Sequence, residues 1–460
     1  MTAGKLPRLG RSVSPAAKAP VRMVHLGLGA FHRSHQAWFT QHAGDAGEWG
    51  IASFTGRRPD AADVLAAQDG LFTVVERSDA GDSFEVVGSI VEAVDGANVG
   101  RLVELVAAQQ TAVVTLTITE AAYGLGAADA SLLVSGKQPT TPLGRLVLGL
   151  AARRDADAGP LAVVSCDNLS DNGNVAKESV LGIAREFDGG LAAWIEANVS
   201  FVSTSVDRIT PRTTADDVAL VSEKCGYRDD APVVTEPFRN WVLSGDFPAG
   251  RPRWEDAGAA FVDDIEPYEN RKLWLLNGAH SILAYSGQLR GHTTVAEALA
   301  DAVCRDAVEE FWEEASRHLP GDELGIPEYR AALLERFGNS RIAHHLAQIA
   351  MDASTKLRMR AIPVLRAERE AGRSGAGAAT MIAVWAAFVA GNPGLQDPQS
   401  DAVAEANRLS GIERTAALVA LLDTGLAGDP AVVELIQELS TGFARAAAAG
   451  VSTATSGTAA

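Results

Sequence analysis

The chain has 460 residues, 47% of them apolar and 21% charged, with 40 Lys and Arg against 58 Asp and Glu for a formal net charge of −18. That length allows two or three domains with a sizeable core, and the acidic balance argues against DNA or RNA as a partner. Cys166, Cys225 and Cys304 form no CxxC pair, no apolar run reaches the ~18 residues of a membrane helix, and the N-terminus lacks the apolar stretch of a secretory signal. A cytoplasmic globular protein is expected.

In chain order, residues 1–20 are rich in Pro, Ser, Ala and Lys and read as a flexible terminus. Val21–Leu26 (VRMVHL) reads as a first strand and runs straight into Gly27-Leu28-Gly29. Trp49–Phe54, Leu71–Glu76, Phe84–Val91, Thr111–Thr117 and Leu161–Ser165 are further β-branched runs, with helical stretches between several of them. Strands alternating with helices predict an α/β fold with a largely parallel sheet. The runs at Leu71–Glu76 and Phe84–Val91 are close enough to form a hairpin inserted on that sheet instead. From about residue 265 the chain is Ala- and Leu-rich with helical periodicity, and the Ala/Thr/Ser/Gly stretch 446–460 reads as a flexible tail.

The glycine turn comprises Gly27, Leu28, Gly29, Ala30, Phe31, His32 and Arg33. Placed between a first strand and a first helix, Gly27 permits the tight turn and Gly29 lets the backbone approach a pyrophosphate. His32 stands where the third glycine of GxGxxG belongs, so a plain strand–helix turn is the competing reading. The placement predicts a Rossmann-type dinucleotide-binding domain over 21–264, followed by an all-helical substrate and catalytic domain over 265–445. After the second strand no acid is present at the usual ribose position. Arg57 or Arg58 would suit the 2′-phosphate of NADP; alternatively both are solvated and Asp60 takes the ribose.

The segment Tyr268–His280 carries the densest chemistry. On an α-helical wheel with Lys272 at the origin, Glu269 falls about 60° away, His280 about 80° and Asn277 about 140°. A lysine between apolar turns is a candidate for desolvation, which lowers its pKa and makes it a general base. The structural alternative is a snorkelling lysine paired with Glu269, with Asn277 and His280 as satisfied core polar groups. A second polar knot, Ser165–Gly173, follows a strand, where α/β sheets bind ligands. Its Asn168 is a candidate donor to a substrate oxygen, although Asp, Asn and Gly also build ordinary turns.

Three segments, GLGAFHRSHQA at 27–37, SCDNLSDNG at 165–173 and KLWLLNGAH at 272–280, together resemble the long-chain, metal-independent polyol dehydrogenases. That family includes mannitol 2-dehydrogenase, arabinitol dehydrogenase, fructuronate reductase and tagaturonate reductase. The resemblance extends over roughly residues 20–425 and includes SVDRITP, EPFRNWVLSGDFPAGRP and QIAMDASTK. It implies Lys272 as general base, Asn168 and Asn277 as an oxyanion hole, His280 as a substrate-positioning group and Glu269 as a proton carrier. Asp207, in SVDRITP, would lie near the nicotinamide.

The resemblance further implies NAD, with NADP not excluded, no metal, a small-molecule polyol, ketose or sugar acid as partner, and a monomer. Mannitol with fructose is the first substrate pair expected, then fructuronate with mannonate. Two departures bear on this: the family's TEKGY reads Thr119-Glu120-Ala121-Ala122-Tyr123, and Gln348 stands where the polyol enzymes carry an arginine. Two alternatives are a phosphopolyol enzyme using Arg341, Lys356, Arg358 and Arg360, which otherwise read as surface charges on a helix, and a non-catalytic dinucleotide-binding protein. A short-chain YxxxK dyad at Tyr268–Lys272 lies too far from the glycine turn for that compact fold.

Overall fold

The computed structural model describes residues 6–56, 58–124, 126–392, 394 and 396–456. The chain divides into two compact units, Met1–Glu266 and Pro267–Ala460.

The first unit holds the strands β1 (Val21–Leu26), β2 (Gly50–Phe54), β3 (Phe72–Ser78), β4 (Gly81–Val87), β5 (Ile90–Val94), β6 (Val113–Leu116), β7 (Leu161–Ser165), β8 (Val199–Asp207), β9 (Val233–Thr235), β10 (Asn240–Ser244) and β11 (Ala260–Phe261). The main sheet has the order β11-β10-β8-β7-β6-β1-β2-β5. Strands β5, β2, β1, β6, β7 and β8 run parallel, while β10 pairs antiparallel with β8. Helices cover both faces, so neighbouring residues of one strand enter different cores. Met23 packs with Trp38, Ile51, Val113 and Trp241 on one side; Val24 packs with Phe54, Val114, Leu146 and Val163 on the other. The chain leaves β1 in one direction toward β2 and β5, then returns to β6 on the opposite side. That reversal is the switch point where such sheets open a ligand crevice.

The run Phe84–Val91 divides at Gly88-Ser89. Its first part, β4, pairs with β3 in a separate sheet ordered β4-β3-β9; the residues that follow begin β5, which joins β2 in the main sheet. The hairpin alternative therefore describes β3 and β4. Strands β8 to β11 carry no prediction: β8 (VSFVSTSVD) is diluted by serines, and β9 and β11 are very short.

Two terminal expectations are corrected. Residues 6–20 are docked: Leu9 is 1% exposed, its N–H donates to Arg228 O at 2.8 Å, and Arg11 donates to the carbonyls of Ala16 (2.7 Å) and Gly88 (3.0 Å). A buried leucine and an arginine with several acceptors outweigh the Pro/Ser composition. At the other end, the last helix spans Pro430–Ser456, beyond the expected limit at 445, as its Ala-rich sequence favours.

The second unit is helical. The apolar helix Ala376–Gly391 packs against Ala302–Ser316, Ala279–Leu289 and Pro430–Ser456. Among the described residues, no helix is long and apolar enough to cross a membrane.

Candidate active site

In the first unit, the carboxyl ends of β1, β6, β7 and β8 lie along one edge of the parallel sheet and bring Gly27, Thr117, Asn168 and Asp207 to it. Gly27 has φ of +112°, and a Cβ there would stand 2.0 Å from the Thr117 carbonyl oxygen. Thr117 Oγ1 donates to Gly27 O at 2.9 Å, so the turn is tied to β6. This bond fixes the tautomer of His25. With the Thr117 proton committed, His25 Nε2 must be the donor to Thr117 Oγ1 (3.0 Å), and Nδ1 accepts from Thr115 Oγ1 (2.8 Å). Burial pushes His25 down to about 3.

His32 stacks on His25 with ring centroids 3.4 Å apart, and its Nε2 meets Ser53 Oγ at 3.0 Å. It too is held well below the ordinary histidine range, first by burial and then by His25. The His32 side chain is thus turned inward, and Leu28 is also in the core. Arg33 Nε returns to Gly29 O at 3.1 Å; burial lowers its pKa to about 10, opposed by Asp229. Ala30 opens a helix of five residues, Ala30–Ser34, without a side-chain cap, and Phe31 stacks on His35. A Cβ at Gly29 would meet nothing closer than Gly27 O at 3.6 Å. The backbone there is open to close approach, as a pyrophosphate requires, so the turn fits a dinucleotide. Arg58 and Asp60 are exposed and face each other at 3.5 Å after β2; Arg57 lies outside the described residues.

Asn168 is exposed on the loop after β7, and its neighbour Asp167 holds that loop in place. Asp167 accepts from the N–H groups of Ile118 (3.0 Å) and Thr119 (2.8 Å) and from Tyr123 Oη (2.7 Å). Asn172 joins the same loop to β8 through Asp167 O (2.9 Å) and Thr204 (2.7 and 2.8 Å). Asn168 is the candidate that the sequence offers in this loop; the roles of Asp167, Asn172 and Tyr123 rest on tertiary hydrogen bonds that no local signal announces. Tyr123 is the end of the TEAAY stretch. Asp207 is the last residue of β8, and Arg208 after it anchors the strand end on Ser34 O, Glu76 and Glu236 O.

In the second unit, Glu269 belongs to the helix Glu266–Arg271, and Lys272 opens a π-helical stretch, Lys272–Gly278, that passes into the helix Ala279–Leu289. This revises the α-helical wheel. With i→i+5 bonding, residues five apart stand one turn apart, so Lys272 and Asn277 share a face. Neighbouring side chains stabilise the wider turn. Trp312 Nε1 donates to Leu275 O at 2.7 Å, and Arg360 Nη1 donates to Asn277 O at 3.1 Å and to Ser281 Oγ at 2.9 Å. A Cβ at Gly278 would come within 2.5 Å of the Phe311 ring. Arg271 is anchored on Leu324 O and stacks over Tyr329 at 4.2 Å. His280 is 7% exposed, lies against Phe337 (4.7 Å) and His344 (4.8 Å), and its Nε2 has no hydrogen-bond partner among the described residues. Burial, then His344, Arg336, Arg360 and Lys356, hold it well below the ordinary histidine range.

The four cations proposed for a phosphate pocket divide. Arg341 and Arg358 are exposed, whereas Lys356 and Arg360 are half-buried. An open cavity of about 490 Å³ along β10 and β11 contains none of the predicted site residues.

Residues 21–256 match the mannitol dehydrogenase Rossmann domain, and residues 264–441 match the mannitol dehydrogenase C-terminal domain. The chain belongs to the mannitol dehydrogenase family. It is accordingly an oxidoreductase with a Rossmann-type parallel-sheet domain followed by a helical one. The family's D-mannonate oxidoreductase of Escherichia coli (strain K12) is 37% identical over 80% of this chain and 80% of its own length. The mannitol 2-dehydrogenase of Cereibacter sphaeroides is 34% identical over 80% of this chain and 81% of its own. Among solved structures, the Pseudomonas fluorescens mannitol 2-dehydrogenase ternary complex with NAD and D-mannitol matches with a TM-score of 0.75 and 29% identity, over 99% of this chain and 97% of that one.

Proposed function

We propose that this protein is an NAD-dependent oxidoreductase that interconverts a secondary alcohol of an open-chain polyol or aldonate with the corresponding ketose or keto-uronate. The observation that carries the reading is the π-helical stretch that sets Lys272 and Asn277 one turn apart and leads into the buried His280. Its support from relatives is that those named above act, by name, on mannitol or mannonate.

In oxidation, Lys272 Nζ takes the proton of the reacting hydroxyl. The amide groups of Asn277 and Asn168 donate to the alkoxide oxygen that results, where preorganised donors are worth most. Glu269 carries the proton between Lys272 and water, and His280, held neutral by burial and neighbouring cations, orients the substrate. Gly27–Arg33 would hold a nicotinamide dinucleotide, with Asp207 nearby, and that group would supply the hydride chemistry in either direction. The substrate loses one proton and one hydride to become the ketone, and no metal is required. Arg57 and Arg58 would admit NADP beside NAD; Asp60 is the group that would select NAD.

The test is a reduction screen near neutral pH, offering NADH and NADPH separately to fructose, xylulose, fructuronate, tagaturonate and fructose 6-phosphate. Turnover of at least one open-chain keto sugar is expected. Dinucleotide binding without turnover of any would make the chain a non-catalytic dinucleotide-binding protein.

A further inference from the structure

Thr119, just after β6, has φ of +73° and ψ of 149°, a conformation that residues with a side chain avoid and glycine adopts freely. Asp167, just after β7, takes hydrogen bonds from both sides of this kink. Thr119 N–H donates to its Oδ1 at 2.8 Å; Ile118 N–H (3.0 Å) and, beyond the kink, Tyr123 Oη (2.7 Å) donate to its Oδ2. With the Tyr123 proton committed to Asp167, Ser165 Oγ must be the donor to Tyr123 Oη (2.8 Å). Burial, then Asp167, raise the Tyr123 phenol well above its ordinary range, so it stays a donor. Asp167 and Tyr123 are each 8% exposed. A carboxylate nearly shut off from water thus answers three donors from the β6 side, and the next residue in its chain is Asn168.

A turn that had only to close the loop would carry glycine at 119 and hold no strain. Thr119 stands there instead, and its conformation persists because groups on both sides of it are pinned to one carboxylate. Strain over-determined in this way marks places where a functional group must be held accurately. The group so placed is Asn168, exposed on the same loop. We propose that Asp167 and Tyr123 are positioning residues for the reaction: their clamp on the Thr119 kink fixes where Asn168 presents its amide to the alkoxide oxygen. This rests on the reading above, in which Asn168 donates to that oxygen. Neither positioning residue gains or loses a proton in the reaction; both act through Asn168.

The experiment measures kcat and KM of the full chain carrying Tyr123→Phe, Asn168→Ala or both. The substrate is whichever of fructose, xylulose, fructuronate and tagaturonate the wild type reduces fastest. Affinity for the reduced cofactor, by fluorescence, and Tm are recorded alongside. Tyr123→Phe should lower kcat about 10-fold, the scale of one hydrogen bond to a charged group, and leave KM and cofactor affinity within about twofold. Made in Asn168→Ala, the same change should move kcat by less than about twofold, because the residue it acts through is already gone. An undiminished loss in that background overturns the positioning role and leaves Asn168 as the donor. Unchanged kcat in Tyr123→Phe, whatever its Tm, makes the clamp structural and overturns the inference, as does a loss carried by KM or cofactor affinity. Wild-type kcat in Asn168→Ala overturns the donor reading and the inference together. No turnover of any of the four by the wild type, with cofactor bound, overturns the function proposed above and the inference with it. In a last arm, Thr119→Gly removes the strain that the clamp must hold. Added to Tyr123→Phe it should restore most of the lost kcat; no recovery overturns the part assigned to the kink.

Discussion

The turn at Gly27 and the helix at Lys272 reach their order by different means. Beneath the turn, the titratable groups are two stacked histidines, buried, neutral and bonded to the hydroxyls of Thr115, Thr117 and Ser53. Their arrangement locks a backbone. Along the Lys272 helix the backbone departs from α geometry, and its carbonyls are held by Trp312 and by the cation Arg360. The first region suits a ligand recognised through main-chain groups, whatever its base. The second suits a substrate recognised through charge and proton transfer. Changes at the turn should therefore act on cofactor binding and stability, and changes at the helix on turnover.

The largest separation is expected from Lys272→Ala. Turnover should fall roughly 100- to 10,000-fold, the range of general acid–base catalysis, while NADH titrated by fluorescence still binds. Asn277→Ala should cost about 3–4 kcal/mol of transition-state stabilisation if its amide is a full oxyanion donor; a loss below about tenfold in kcat would remove it from that role. Gly27→Ala forces a Cβ against the Thr117 carbonyl at positive φ. It should cost about 1–3 kcal/mol of stability and weaken NADH binding, read by thermal denaturation and titration; normal binding would detach the turn from the cofactor.

An effect on stability alone is expected from pH. Because burial lowers His25 to about 3, the unfolded chain, whose histidines titrate near 6.5, takes up the proton first as pH falls. The stability this contributes is complete above about 6.5 and is lost between there and about 3. Tm should decline across that window, and less steeply in His25→Gln; an identical slope in the variant would show that His25 contributes nothing to it. Smallest of all, exhaustive EDTA treatment should leave activity unchanged, and a loss reversed by added metal would overturn the lysine mechanism.

Much of the fold was legible because the strands nearest the turn are short apolar runs with clear breaks. Gly27 could be read from its place after Val21–Leu26, and Lys272, Asn277 and His280 from their crowding on one apolar segment. The π-helical stretch was not legible, since periodicity assumes 3.6 residues per turn and nothing in KLWLLNG announces another. The docking of residues 6–20 depends on acceptors far along the chain, such as Arg228 O and Gly88 O, which local composition does not report. The sequence offers Arg360 as a phosphate-pocket cation or a surface charge; its bond to Asn277 O, between residues 83 apart, is not local information. Tyr123 likewise ends a stretch that departs from the family's TEKGY, and its bond to Asp167 is a tertiary fact.

The central claim, that Lys272 is the base, is tested most directly by chemical rescue. Turnover of Lys272→Ala would be measured with and without an added small primary amine, with NADH binding recorded alongside. The account predicts a strongly impaired enzyme that binds cofactor and recovers activity as the amine concentration rises. Turnover at the wild-type rate without the amine would contradict it.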